Sequence, residues 1–188
     1  MKKVLIPLAD GFETIEAMIA VDVFKRAGFA VTLGGLDSNS SKVKSEHGVV
    51  VSADAPMSKI DPDEYDVLFL VGGCDGGVKL LRKDQYVVNA MRSFVAQNKI
   101  VGAICAAPYI LGELGLLEGK SVTCYPDEEF TSKLIGAKYE KKQIVIDGNI
   151  FTGIGPSSAI ELAFSIAEAC SDIETVSKIV EDMQFNVE

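Results

Sequence analysis

The stretch Lys99-Ile-Val-Gly-Ala-Ile104-Cys105-Ala106-Ala107-Pro108-Tyr-Ile-Leu-Gly-Glu-Leu114 decides the fold. The apolar run Ile100 to Ile104 passes straight into a helical stretch, Ala106 to Leu114, with a sulfur at the junction. A short apolar run feeding a helix is how a buried parallel strand and its crossover look in sequence. A residue at such an elbow lifts its side chain to the carboxyl end of the sheet, toward the amides of the first helical turn. Those amides favour a thiolate, whereas a free cysteine, with a pKa of about 8.5, is only a few per cent ionised at neutral pH. Cys105 is therefore the candidate reactive atom. The alternative is an inert buried cysteine, since this residue type is common in cores.

Outward from the elbow, the same alternation recurs. Val4 to Leu8 is a strand, followed by a helix over Glu13 to Ala27 with apolar residues at helical spacing and Gly28 as its stop. Ala30 to Leu33 and Asp66 to Val71 are further strands, the latter ending at Gly72-Gly73. Lys42 to Ser45 and Val49 to Val51 flank Glu46-His47-Gly48 as a hairpin. Tyr86 to Gln97 is helical. Ser121 to Cys124, Gln143 to Ile146 and Ile150 to Thr152 read as strands, the last two joined by Asp147-Gly148-Asn149. Helices over Pro156 to Ala169 and Ile173 to Met183 close the chain. No repeat, low-complexity tract or linker interrupts this order, which predicts one α/β domain over residues 1–188 with a mainly parallel sheet covered on both faces.

Composition excludes several function classes. At 188 residues and 48% hydrophobic, the chain can bury a full core without staples. No apolar run approaches the roughly 18 residues that span a bilayer. Met1-Lys2-Lys3 leads directly into the first strand without a signal-type apolar region, which points to a cytoplasmic protein. A net charge of −9 with no basic cluster argues against nucleic-acid and anionic-membrane partners. The cysteines at 74, 105, 124 and 170 form no C-x-x-C pair, and with a single histidine no structural metal is expected.

In such a sheet the ligand site lies beyond the carboxyl ends of the strands, near the topological switch point. The loop after Leu8, Gly72-Gly73-Cys74, Cys105-Ala106 and the turn Cys124-Tyr125-Pro126 should converge there. Gly72 and Gly73 let backbone approach a ligand, and the Gly73 and Ala106 amides together could form an oxyanion hole. The other reading of the two glycines is turn geometry. Neither Gly72-Gly73-Cys-Asp-Gly76-Gly77-Val-Lys79 nor Gly153-Ile-Gly155-Pro-Ser-Ser158 carries a phosphate-binding fingerprint. In Asp10-Gly-Phe-Glu13-Thr-Ile-Glu16, Glu13 suits the first turn of a helix, while Glu16 lies one turn further in, on a face that packs on the sheet. If Glu16 faces Cys105, two anions cannot share the low-dielectric pocket. A protonated Glu16 against a Cys105 thiolate then supplies nucleophile and general acid/base without histidine.

These residues carry a family resemblance. Asp10-Gly-Phe-Glu-Thr-Ile-Glu16-Ala with Val21-Asp22-Val23, then Val71-Gly72-Gly73, Ala103-Ile-Cys105-Ala-Ala-Pro108, and Gly155-Pro156 with Glu161 resemble the ThiJ/PfpI superfamily. The resemblance is closest to the branch containing the human parkinsonism-associated protein and its bacterial ThiJ-type relatives, and spans nearly the whole chain. The resemblance implies a flavodoxin-like three-layer sandwich, a homodimer, a nucleophile-elbow Cys105 paired with protonated Glu16, and an oxyanion site at the Gly73 and Ala106 amides. It implies cofactor-independent chemistry on reactive aldehydes: glyoxalase-type conversion of glyoxal or methylglyoxal to a 2-hydroxy acid, or removal of glycated adducts. The alternative it offers is a redox sensor or chaperone in which Cys105 becomes a sulfinate.

Two positions depart from that pattern. Tyr125 occupies the slot where several relatives carry a histidine; its hydroxyl would donate to substrate or its ring would wall the pocket, and the wall is the preferred reading. His47 aligns with an arginine on the interface hairpin; it is either a solvated turn residue or, in a dimer, an anion-binding group reaching the partner's pocket mouth. No histidine follows Cys105, which argues against a Cys-His peptidase or amidotransferase. Cys74 is either a resolving thiol or a loop cysteine, and Cys124 and Cys170 read as packing residues. Asp22, Arg26 and Glu161 are assigned to ion pairs or to the dimer face.

Overall fold

A computed structural model describes residues 1–73 and 76–185. Its elements run β1 (Lys3–Leu8), α1 (Thr14–Arg26), β2 (Ala30–Gly35), β3 (Lys42–Lys44), β4 (Val50–Ser52), β5 (Ala55–Pro56), β6 (Val67–Leu70), α2 (Gly77–Leu81) and α3 (Gln85–Ala96). There follow β7 (Ile100–Ile104), α4 (Pro108–Glu113), β8 (Ser121–Val122), α5 (Glu128–Thr131), β9 (Lys138–Tyr139), β10 (Ile144–Asp147), β11 (Ile150–Gly153), α6 (Ala159–Cys170) and α7 (Ile173–Asp182).

The central sheet has the order β10-β11-β7-β6-β1-β2-β5, parallel throughout except for β10 against β11. The strands are buried on both faces. Val4, Ile6 and Leu8 of β1 with Val67 and Phe69 of β6 face α1 and α6, while Leu5, Leu68 and Leu70 face α3 and α4. This period of two, apolar in both directions, is why the strands read as unbroken apolar runs. Gly102 in β7 leaves room for Ile166 of α6 and Phe69, whose atoms would each lie 2.7 Å from an added β-carbon. The three-layer flavodoxin-like arrangement is as expected.

The chain steps from β1 outward to β2, then returns across β1 to β6 and on to β7, so the sheet order reverses between β1 and β6. Loops from these strands diverge there and leave a crevice at their carboxyl ends. One strand expectation is corrected: Ser121 to Cys124 is a strand only at Ser121–Val122, and it pairs with β9 in a separate parallel pair rather than joining the sheet. Residues 123–125 turn away toward the elbow because their polar groups bond across: Thr123 N–H donates to Thr152 Oγ1 at 2.9 Å, and Tyr125 N–H donates to the Cys105 carbonyl at 2.7 Å.

Candidate active site

Three loops meet at the switch point: residues 9–13 after β1, residues 71–73 after β6, and residues 105–107 after β7. Glu13 is the N-cap of α1, and its carboxylate accepts the N–H of Glu16 at 2.7 Å. In an ordinary capping box the third helical residue would reach back to the cap's own N–H. Here Gly72 of another strand stands between the two. The Glu13 N–H donates to the Gly72 carbonyl at 3.1 Å, and the Gly72 N–H donates to Glu16 Oε2 at 2.8 Å. Glu16 is thereby turned off its own helix end and into the core, with no solvent exposure.

Cys105 sits across the same glycine. A β-carbon added to Gly72 would lie 2.7 Å from Glu16 Oε2, 2.7 Å from Cys105 Cβ and 3.2 Å from Cys105 Sγ. Glycine at this position therefore allows acid and sulfur to close over the backbone. The carboxyl of Glu16 hydrogen-bonds the Cys105 side chain, and its Oε1 has no further partner of full hydrogen-bond geometry among the described residues. Burial, reinforced by the neighbouring charges of Glu13 and Glu46, outweighs the Gly72 amide and Cys105 and pushes Glu16 up to about 8. At neutral pH the group is mostly a neutral acid, the state that can stand beside a thiolate.

The elbow is strained. Cys105 has φ +60°, in the left-handed region that costs a non-glycine residue about 1–2 kcal/mol. It is held there by its N–H donating to the Gly153 carbonyl at 2.9 Å, and by two donors to its own carbonyl: Tyr125 N–H at 2.7 Å and Cys124 Sγ at 3.2 Å. Gly73 has φ +117°, and an added β-carbon would lie 2.1 Å from the Gly11 carbonyl oxygen, so no other residue fits. The expectation of a full helical turn facing the sulfur is corrected. The helix starts only at Pro108, which suits a first position because it has no N–H to leave unpaired, and α4 is 6 residues long. Ala107 N–H is used in the turn, donating to the Ile104 carbonyl at 3.0 Å. Among the described residues, the Ala106 and Gly73 amides donate to no protein acceptor.

Cys105, Glu16, Gly72, Gly73 and Ala106 are thus brought together, all buried, with Cys105 at 4% exposure. Tyr125 lies at the rim, 40% exposed, with its ring edge-on to Phe130. His47 is on the exposed hairpin tip, 3.8 Å from Glu46 Oε1. Ligand atoms of Glu13, Glu46 and His47 come within 4.8 Å of one another, the described group most able to meet on a cation, although the Glu13 carboxylate already caps α1. Asp22 and Arg26 form the expected ion pair along α1 at 2.7 Å, and Glu161 is exposed in the first turn of α6. Cys170 is half-buried near Lys2 and Asp66. Cys74 lies outside the described residues.

Two features were missed from sequence. One is the Gly72 insertion between Glu13 and Glu16, whose only local trace is the Glu-x-x-Glu spacing of a capping box. The other is the bond from Cys124, read as a packing residue, to the Cys105 backbone.

Residues 2–169 match the DJ-1/PfpI family. The chain is 35% identical to protein dj-1beta of Drosophila melanogaster over 97% of its length and 96% of that protein's. The crystal structure of that Drosophila protein superposes with a TM-score of 0.88 at 34% identity, covering 97% of each chain. A homolog of Parkinson disease protein 7 from Danio rerio is 31% identical over 95% of this chain and 94% of its own. A protein of Thermococcus kodakarensis named a deglycase is 32% identical over 78% of this chain and 86% of its own.

Proposed function

Because the chain belongs to the DJ-1/PfpI family, we propose that it is a cofactor-independent cysteine enzyme acting on reactive aldehydes, with Cys105 as nucleophile and Glu16 as proton carrier. The observation that carries this reading is the buried, proton-retaining carboxyl of Glu16 closed over Gly72 against Cys105. The relative named a deglycase supports the substrate class.

The steps follow from the groups present. The Cys105 thiolate adds to the aldehyde carbon of methylglyoxal; a C–S bond forms and the carbonyl π pair moves to oxygen, facing the Gly73 and Ala106 amides. Glu16 gives this oxygen its proton, forming a hemithioacetal. As carboxylate, Glu16 then removes the remaining hydrogen from that carbon; the electron pair forms the C=C bond of an enediolate, and the former ketone oxygen takes the charge and then the proton of the neighbouring hydroxyl. Return of the proton to the neighbouring carbon leaves a 2-hydroxyacyl thioester. Water cleaves its C–S bond, releasing lactate and the thiol. The sum is methylglyoxal plus water giving lactate, an internal redox exchange between two carbons with no outside oxidant. Glycated thiol or amine adducts would enter one step earlier: collapse of the hemithioacetal or hemiaminal expels the thiol or amine, which takes the hydroxyl proton, and frees the aldehyde to which Cys105 adds.

The test is lactate formation from methylglyoxal by purified protein, with Cys105→Ser and Glu16→Gln alongside. Loss in both variants is expected; turnover surviving in Cys105→Ser overturns the reading. If untreated protein is inert while mild peroxide converts Cys105 to a stable sulfinate with a gain in holdase activity, the sensor role replaces it.

A homodimer fits the same reading. Ile15 on α1 and Val49 and Val50 on the hairpin are exposed, and Thr14 ties α1 to the hairpin through Ser45 at 2.8 Å, giving a second copy an apolar face to cover. Sedimentation of wild type against Ile15→Lys checks it, a fall from dimer to monomer mass being expected. No described helix is long and apolar enough to cross a membrane.

A further inference from the structure

A peptide unit is a rigid plane whose C=O and N–H point in opposite directions when trans. The carbonyl of Cys105 and the N–H of Ala106 belong to one such plane, so whatever holds the first aims the second. The carbonyl is held from one side by two donors on consecutive residues, the Cys124 thiol at 3.2 Å and the Tyr125 N–H at 2.7 Å. Both ride on a segment anchored to β11 by the bond from Thr123 N–H to Thr152 Oγ1. At the far end of the plane, the Ala106 N–H donates to no protein group among the described residues.

We propose that Cys124 is a positioning residue: by donating its S–H to the Cys105 carbonyl, it fixes the elbow peptide so that the Ala106 N–H faces the oxygen of a bound carbonyl substrate. The inference rests on the reading that Cys105 attacks a carbonyl. Three observations support the assignment. Cys105 occupies a left-handed backbone conformation that relaxes unless several contacts over-determine it. Cys124 has no solvent exposure, so its thiol has no competing water partner, and the other acceptor in reach, the Ala106 carbonyl, is farther at 3.9 Å. Burial also pushes Cys124 up to about 12, which keeps the sulfur protonated, as a donor must be. Donors on a carbonyl also polarise the N–H of the same amide, which makes it the stronger donor to an oxyanion. A thiol is a weak donor, so the effect is smaller than deletion of an oxyanion-hole group.

The test compares Cys124→Ser, which keeps a donor, with Cys124→Val, which keeps the bulk and removes it, and Cys124→Ala. Expected in the Val and Ala variants is a fall of about tenfold in kcat for methylglyoxal with KM within about twofold, recovered by Ser. Alkylation of Cys105 by iodoacetamide, followed by peptide mass mapping, should keep its rate and pH midpoint, because displacement at a saturated carbon creates no oxyanion. The Ala106 amide, observed by 15N–1H correlation, should shift or broaden in the Val and Ala variants and return to its wild-type position in Ser. Unchanged kcat with an unshifted Ala106 resonance overturns the proposal. So does a parallel fall in turnover, alkylation and thermal midpoint, which marks a purely structural role. If wild type has no turnover, the aldehyde reading fails by itself; the Ala106 resonance then decides, its shift upholding the positioning and its constancy refuting it.

Discussion

The two ends of one sheet are built to different rules. At the amino ends of the strands, every contact is conventional: Asp66 takes the Lys3 N–H at 2.8 Å and pairs with Lys2 at 3.2 Å, and Lys3 pairs with Glu64 at 3.2 Å, all exposed. The positive φ values there fall on Asn98, Gly28 and Gly148, residue types that tolerate them. At the carboxyl ends, a cysteine takes a left-handed conformation, a carboxyl is fully buried, and a glycine sits where no β-carbon fits. Strain and desolvation collect at one end, and the layers between, packed on both faces, are what hold them.

The sharpest way to break this contrast is chemical. Cys105→Ser should lower aldehyde turnover by about a thousandfold or more, measured as lactate formed, while Cys170→Ser near the opposite end should leave it unchanged. Two glycines carry the same contrast into stability. Gly73→Ala places a β-carbon against the Gly11 carbonyl and should cost more than about 4 kcal/mol, read as failure to fold or a collapsed denaturation midpoint. Gly28→Ala, with φ +76° but nothing within 4 Å, should cost only about 1–2 kcal/mol.

Legibility in the sequence divides along the same line. The strands of the sheet other than β5, with α1, α3, α6 and α7, were readable because burial imposes a period, and Cys105 was readable because an apolar run meets a helix at Pro108. The short pieces α2, α5, β5 and β9 were not, since 2 to 5 residues carry no period and are fixed by tertiary pairing. Within the site, the sequence names the residues that the structure brings together, but not their wiring. Gly72 entering the cap of α1, and Cys124 bonding across to the elbow, join positions 56 and 19 residues apart, which no local pattern records.

Glu16 tests whether the site end is destabilised by its function. Its folded value of about 8 lies above the ordinary 4.5, so the folded state keeps a proton that the unfolded chain releases. Stability is then full below about pH 4.5 and declines as pH rises toward 8. Glu16→Gln should remove that decline and stabilise the protein by up to roughly 3 kcal/mol at pH 7, seen as a gap in denaturation midpoint that widens between pH 5 and 8. Asp66 shows the opposite sign and the smallest effect. Burial works to raise it, but the Lys3 N–H and Lys2 ammonium outweigh this and hold it below its usual value. Its contribution is present above about pH 4 and lost as pH falls through the lowered value. Since the pair is well exposed, Asp66→Asn should cost at most about 1 kcal/mol, and less in high salt.

The crowding around Gly72 and Gly73 also limits how such a pocket can diversify. Its floor is backbone pressed on backbone, so no side chain can be introduced there to recognise a new substrate. Selectivity must be written from above, at Tyr125, Pro126 and the hairpin tip, where exposed positions accept replacement without disturbing the reacting pair. A chain of this design can change what it admits far more readily than how it reacts.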